Sequence, residues 1–160
     1  MNRLLILFLF QIVSFSPFAE EGNPNPNIEM FQDWIVSCNP DNKLCIANQT
    51  IRTDKGLPVA LINITHVAGN TVLEFGLPLM MNLQKPIKVE VDENMISTYG
   101  YNTCSQSACF VIRNNDEKLL DSFKSGNKAT VTAESIDRKR FDLTFSLKGF
   151  TDTINKLEGK

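Results

Sequence analysis

The chain has 160 residues, with 16 lysines and arginines against 18 aspartates and glutamates, 42% hydrophobic residues, four cysteines and a single histidine. That balance excludes the basic footprint of a nucleic-acid binder, and the lone histidine leaves little from which to assemble a base, a nucleophile or a metal centre. The length suits one domain of ordinary size, large enough to bury its own core.

Met1-Asn2-Arg3 carries one positive charge, the run from Leu4 to Val13 has only Gln11 as a polar residue, and Ser14-Phe15-Ser16-Pro17-Phe18-Ala19 follows. This is the layout of a secretory signal peptide, expected to span residues 1–19. Its apolar stretch is shorter than the roughly 20 residues of a spanning helix, and no later segment comes closer, so no transmembrane segment is expected after cleavage. Removing it leaves 15 basic against 18 acidic residues, a formal charge of −3. Residues 20–29 hold two prolines, three asparagines and one aliphatic side chain. They read as a flexible leader ahead of a single domain over 30–158.

From Phe31 onward short β-rich runs alternate with Asn, Asp, Gly and Pro. Strands are expected near 34–38, 44–52, 59–67, 71–75, 87–92, 95–101, 109–113, 129–133 and 141–147. In the run 87–92, Ile87, Val89 and Val91 share one face and Lys88, Glu90 and Asp92 the other, as a half-buried strand requires. Ala129, Val131 and Ala133 repeat that pattern, as do Phe141, Leu143, Phe145 and Leu147, and the charged connection 137–140 makes these two runs a hairpin. One short helix is expected where Asn115, Asp116 and Glu117 precede Leu119, Leu120 and Phe123, with Lys124 and Gly126 closing it. A second follows Gly149, where Phe150, Ile154 and Leu157 form one apolar stripe. Alternating faces over this length predict a mainly β, two-sheet antiparallel sandwich with one or two short helices.

Cys38, Cys45, Cys104 and Cys109 all lie beyond the signal peptide, in a chain expected to meet an oxidising compartment where thiols pair. Four cysteines allow three connectivities; the close spacing favours Cys38 with Cys45 and Cys104 with Cys109.

The inventory for catalysis is thin. His66 stands alone at a strand end, where it reads as a hydrogen-bonded or surface residue. The chain has no Gly-x-Ser-x-Gly and no Cys-x-x-Cys. The spacing of Cys38 and Cys45 is too wide for a zinc knuckle. Asp92-Glu93 and Asp116-Glu117 read as a turn and a helix start, so a hydrolase built on Asp92, Glu93 or His66 is the weakest reading. Neither metal nor cofactor is expected. Asn48-Gln49-Thr50 and Asn63-Ile64-Thr65 match the glycosylation acceptor pattern but lie inside expected strands, and they read as chance matches. Met80, Met81, Tyr99 and Tyr101 sit beside turns and are the candidate contact residues.

In order, these pieces resemble the invasion-associated locus B family of exported bacterial proteins. Phe31-Gln32-Asp33-Trp34-Ile35-Val36-Ser37-Cys38 is similar to that family's opening aromatic-x-Asp-Trp-x-Val-x-Cys. Phe75-Gly76-Leu77-Pro78-Leu79 leading into 87–92, the pair Cys104/Cys109, Leu119-Leu120 with Lys124-Ser125-Gly126, and Ser146-Leu147-Lys148-Gly149-Phe150 continue the likeness to about Leu157. Gln32 stands where many members carry glycine, and Thr153 or its neighbours replace an alanine often found after the Gly-Phe. The resemblance implies an immunoglobulin-like β-sandwich exported to the periplasm or cell surface, with Asp33, Trp34, Pro78, Gly149 and Phe150 as structural signature positions. It also implies a non-catalytic role tied to host-cell invasion in some pathogens, with a protein or envelope component as partner; general envelope maintenance or a stress response is the alternative for such a fold.

Replacing Cys104 or Cys109 with serine should lower stability by about 2 to 5 kcal/mol, the usual cost of a lost native bridge. Thermal denaturation of the oxidised protein reads the change.

Overall fold

A computed structural model describes residues 26–160. The expected signal peptide, residues 1–19, lies outside them, as do the first residues of the expected leader. The chain builds β1 (Asn27–Phe31), β2 (Trp34–Cys38), β3 (Cys45–Arg52), β4 (Pro58–Val67) and β5 (Asn70–Leu77) as an antiparallel meander. It then crosses to a second sheet with β6 (Ile87–Val91) and β7 (Asn94–Tyr99), and returns as β8 (Thr103–Cys104) and β9 (Cys109–Asn114) beside β5. After α1 (Glu117–Ser125) it completes the second sheet with β10 (Lys128–Glu134) and β11 (Arg140–Ser146), and ends in α2 (Phe150–Leu157). One sheet runs β1-β2-β3-β4-β5-β9-β8 and the other β11-β10-β6-β7, all pairs antiparallel. The mainly β sandwich with two short helices is thus the architecture expected.

One expectation is overturned. Residues 27–29 of the expected leader belong to β1, which pairs with β2 from Asn27↔Cys38 to Phe31↔Trp34. An edge strand needs only backbone partners on one side, so the polar composition of 27–29 does not prevent it from pairing.

Burial follows the period of two that the sequence carries. Alternate residues of β4, β5, β6 and β10 are buried, and from the seven-stranded sheet Trp34, Val36, Ile62, Ile64, Leu73 and Phe75 meet Ile87, Val89, Val131 and Phe145 of the other in one core. Tight hairpins hold the register. The β4–β5 turn places Ala68 and Gly69 at φ 50° and 79°, and the β6–β7 turn places Asp92 and Glu93 at 47° and 69°, the left-handed pair that two-residue hairpins favour. Each disulfide joins directly opposed residues of a hairpin: Cys38 to Cys45 across β2–β3, and Cys104 to Cys109 across β8–β9. At Pro78 the chain leaves the first sheet. Proline donates no ladder hydrogen bond and so ends β5, and Met81 then bridges to Ser135 beside β10.

The helices seal the sandwich through stacked aromatic edges. Phe150 of α2 lies 5.3 Å from both Trp34 and Phe123, and Phe123 of α1 lies 6.5 Å from Phe75, all edge-on. Asp116 caps α1 by accepting from the Leu119 backbone N–H at 3.1 Å.

Polar contacts clasp the start of the domain to its end. The Trp34 indole N–H donates to the Ser146 carbonyl at 3.1 Å. The Gln49 amide donates to that carbonyl at 2.9 Å and accepts the Ser146 backbone N–H at 2.8 Å. The Ser146 hydroxyl donates to the Asp33 carboxylate at 2.6 Å. Next in the chain, Gly149 adopts φ 84° against the β1–β2 turn, where a Cβ would stand 2.1 Å from the Phe31 carbonyl oxygen. In that same turn Gln32 holds φ 53°, a conformation glycine takes without penalty.

Two opposite outcomes follow. Gly149→Ala should cost more than about 2 kcal/mol, because it adds a backbone clash to an unfavourable φ. Gln32→Gly should raise stability by up to about 1 kcal/mol by relieving its left-handed strain. Chemical denaturation midpoints at unchanged slope check both.

Candidate interaction surface

The four contact residues expected from sequence separate in the fold. Met80 is 65% exposed, at φ 68° in the crossover between sheets. That turn reverses the alternation, so Met81 points inward and is only 6% exposed, which removes it from any contact surface. Tyr99 is likewise 6% exposed, because its register opposite Ile87 puts it on the inner face of β7. Its hydroxyl donates to the Asp116 carboxylate at 3.0 Å, its ring carries the Arg113 guanidinium 4.6 Å from the centroid, and Arg113 Nε donates to the same carboxylate oxygen at 3.3 Å. Tyr99 therefore ties β7 to the start of α1. Tyr101 is half-buried against the core, with its hydroxyl enclosed and without a hydrogen-bond partner among the described residues. The signature residues Asp33, Trp34, Gly149 and Phe150 meet in the clasp described above, and Pro78 marks the crossover.

The acids and the histidine considered for hydrolysis do not converge. Asp92 accepts from the backbone N–H groups of Asn127 and Lys128 at 2.9 and 3.0 Å, which holds its carboxyl below the usual range and pins the β6–β7 turn to the start of β10. Glu93 is exposed and pairs with Lys128 at 3.6 Å. His66 Nδ1 bonds the Thr71 hydroxyl at 2.9 Å, beside an open cleft of ≈ 440 Å³ that also takes in Glu117, Asp121, Lys124 and Glu158. No hydrogen bond joins His66 to Asp92 or Glu93 among the described residues.

The outer faces of the two sheets differ in kind. On the four-stranded sheet, the alternation that buries Val89, Val131 and Leu143 turns Lys88, Glu90, Thr132, Glu134, Arg140 and Asp142 outward, a charged and solvated surface. The seven-stranded sheet turns out Ile28 and Met30 of β1, Ile35 of β2 and Ile46 of β3, with Ile28 61% and Met30 71% exposed. The registers continue this face as Thr65 and Asn63 of β4, Val72 and Glu74 of β5, and Ile112 of β9. Along these rows Glu74 is the one charged side chain.

A chain of side-chain hydrogen bonds crosses the face. The Thr50 hydroxyl donates to Asn48 Oδ1 at 2.8 Å, the Asn48 amide to Asn63 Oδ1 at 2.7 Å, and the Asn63 amide to Glu74 Oε1 at 3.1 Å. The two asparagines of the glycosylation-like tripeptides thus occupy neighbouring strands as rungs of one ladder. Sequence reasoning did not single out this face, although the outward alternation of Ile35 against buried Trp34 and Val36 was the available signal. Apolar strand residues read as core until the register fixes which sheet surface they occupy.

The comparisons agree with this architecture. The family model described as invasion associated locus B (IalB) protein matches residues 34–158. Among curated proteins none matches. Among solved structures, the fold matches the crystal structure of invasion associated protein B from Bartonella henselae, with a TM-score of 0.75 at 20% identity over 83% of this chain and 96% of that one. The matched segment opens at Trp34 and runs through Phe150, so it takes in Trp34, Gln49 and Ser146 of the clasp.

Burial pushes both tyrosines up to about 12, with the Asp116 carboxylate adding to the effect at Tyr99. The raised values favour the folded state below the ordinary value near 10, and that contribution is lost as pH climbs from about 10 through 12. Because Tyr99 and Tyr101 are the chain's two tyrosines, an ultraviolet titration should show no tyrosinate step near pH 10. Tyrosinate should rise only near 12, together with unfolding; a step near 10 with the fold intact would contradict the burial described.

Proposed function

This chain belongs to the invasion associated locus B family, and from that premise we propose that it is an exported, non-catalytic binding protein of the bacterial envelope or cell surface. It makes its contacts through the outer face of the seven-stranded sheet. The observation that carries the reading is the asymmetry of the sandwich, in which one outer face is charged and the other presents Ile28, Met30, Ile35 and Ile46 to solvent. Contiguous exposed apolar surface of this sort marks contact sites on soluble proteins.

Export is supported by the signal-peptide pattern of residues 1–19 and by two disulfides, the chemistry of an oxidising compartment. No helix among the described residues is long and apolar enough to cross a membrane. Both disulfides lie in this same sheet, one in the β2–β3 hairpin and the other in the β8–β9 hairpin. A face held in this way is preorganised for a partner and loses less conformational freedom on binding.

Photo-crosslinking residues placed at Ile35 and Ile46, with Thr132 and Glu90 as controls on the opposite face, test the assignment in envelope extract and in host-cell membranes. Adducts are expected from the first pair and not from the second. The double variant Met30→Asp, Ile35→Asp should reduce capture about tenfold or more. An envelope partner would mark a maintenance role and a host protein an invasion role, whereas adducts from the charged face alone would overturn the choice of surface.

A further inference from the structure

We infer that Glu74 is the receptor for a single basic side chain, a lysine or arginine, presented by a protein partner that lies on the outer face of the seven-stranded sheet. This rests on the reading of that face as the contact surface and specifies what it recognises.

The direction of the ladder is the first observation. Thr50 donates to Asn48, Asn48 to Asn63 and Asn63 to Glu74, so each donor is turned toward the carboxylate and the ladder ends there. One carboxylate oxygen takes the Asn63 amide. Glu74 Oε2 accepts no side-chain hydrogen bond, and no ion pair among the described residues involves Glu74. A carboxylate offers about four acceptor positions, so most of its capacity faces outward unused. The ladder also fixes the orientation of the group, which lowers the conformational cost of receiving a cation.

The surroundings are the second observation. Ile46, Asn63, Thr65, Val72 and Glu74 line one shallow depression of ≈ 180 Å³, and Ile112 stands opposite Glu74 on β9. An apolar floor leading to a fixed carboxylate suits a lysine or arginine, whose methylene stem lies along hydrocarbon while its charged head reaches the acceptor. A charge-assisted hydrogen bond formed there, with water partly excluded, is stronger than one between neutral groups.

Charge selects among occupants. A second copy docked face to face about a two-fold axis would bring no base to Glu74 from the strand rows aligned with it, which among the described residues hold no lysine or arginine, and would bury two unpaired carboxylates. Arg52, at the bulged end of β3, is turned to the Gly56 carbonyl at 3.0 Å. An anionic lipid surface would meet a carboxylate with no basic residue beside it. A protein partner that supplies the missing cation is what remains.

Random peptides displayed on phage, panned in parallel on the oxidised protein and on its Ile35→Asp, Glu74→Gln and Glu74→Lys variants, test the inference. Glu74→Gln keeps an acceptor for Asn63, so its thermal midpoint should stay close to the parent's. Peptides enriched on the parent and lost on Ile35→Asp should carry lysine or arginine. Synthetic copies should bind Glu74→Gln about tenfold more weakly, and copies with the basic residue changed to glutamate should regain binding on Glu74→Lys. Peptides lost on Ile35→Asp but bound equally by Glu74→Gln would overturn the cation receptor while leaving the face in place. Peptides indifferent to Ile35→Asp, or no enrichment at all, would overturn both.

Discussion

The sandwich depends on one clasp. Its two sheets are joined at the end of β11, where the backbone N–H and C=O of Ser146 are taken up by Gln49 and Trp34 from the other sheet and its hydroxyl by Asp33. The Trp34 and Gln49 contacts are part-buried between the layers, where an unpaired polar group costs about 1–3 kcal/mol, while the Asp33 contact stands at the exposed rim. Losing one member leaves others unpaired, so the contacts act as a unit. Gly149 then turns the chain at a point no side chain fits, and Phe150 reaches the face of the core that Trp34 and Phe123 have prepared. Trp34 takes part twice, through its indole N–H and its ring edge.

The clasp brings two distant segments of the chain together. The Asp33-Trp34 segment and the Ser146-to-Phe150 segment are over a hundred residues apart in sequence and are two halves of one interaction. Pro78 has a comparable role in topology. It stops β5 so that the chain can cross between layers, and Met81 and Asn82 then dock beside β10, with the Asn82 amide donating to Glu134 at 2.8 Å. The signature positions serve the fold. The apolar outer face of the seven-stranded sheet, on which the proposed contacts rest, lies apart from them.

That surface belongs to the wide sheet. Alternation buries Trp34, Val36, Ala47, Ile62 and Ile64 and thereby turns Ile35, Ile46, Asn48 and Asn63 outward. The outward asparagines are bonded to one another and to Glu74, so an ordered polar ladder lies beside the apolar residues of the face. The opposite sheet turns charges outward, such as the paired Lys88 and Glu90. One layer thus turns charged side chains outward and the other turns apolar ones.

Local pattern carried most of the fold. Period-two alternation at Ile87, Val89 and Val91 and at Leu143, Phe145 and Leu147 specified strands, and Asp116 and Gly126 bounded a helix, because these signals are settled by neighbours in the chain. Cysteine spacing favoured the two local bridges that form, since cross-strand pairs in hairpins are close in sequence as well as in space. What the sequence left unread depends on partners far along the chain. β1 exists because β2 offers it a backbone edge, not because 27–29 are apolar. Tyr99 and Met81 are buried because a bulge and a left-handed turn set their phase. The Asn48–Asn63–Glu74 ladder arises only when three strands align in one register. Sequence by itself determined which segments extend, which coil and where they stop, since those are local free energies. Register and layer pairing decided which residues face the core and which face outward, because a shift of one residue moves every side chain of a strand to the opposite side.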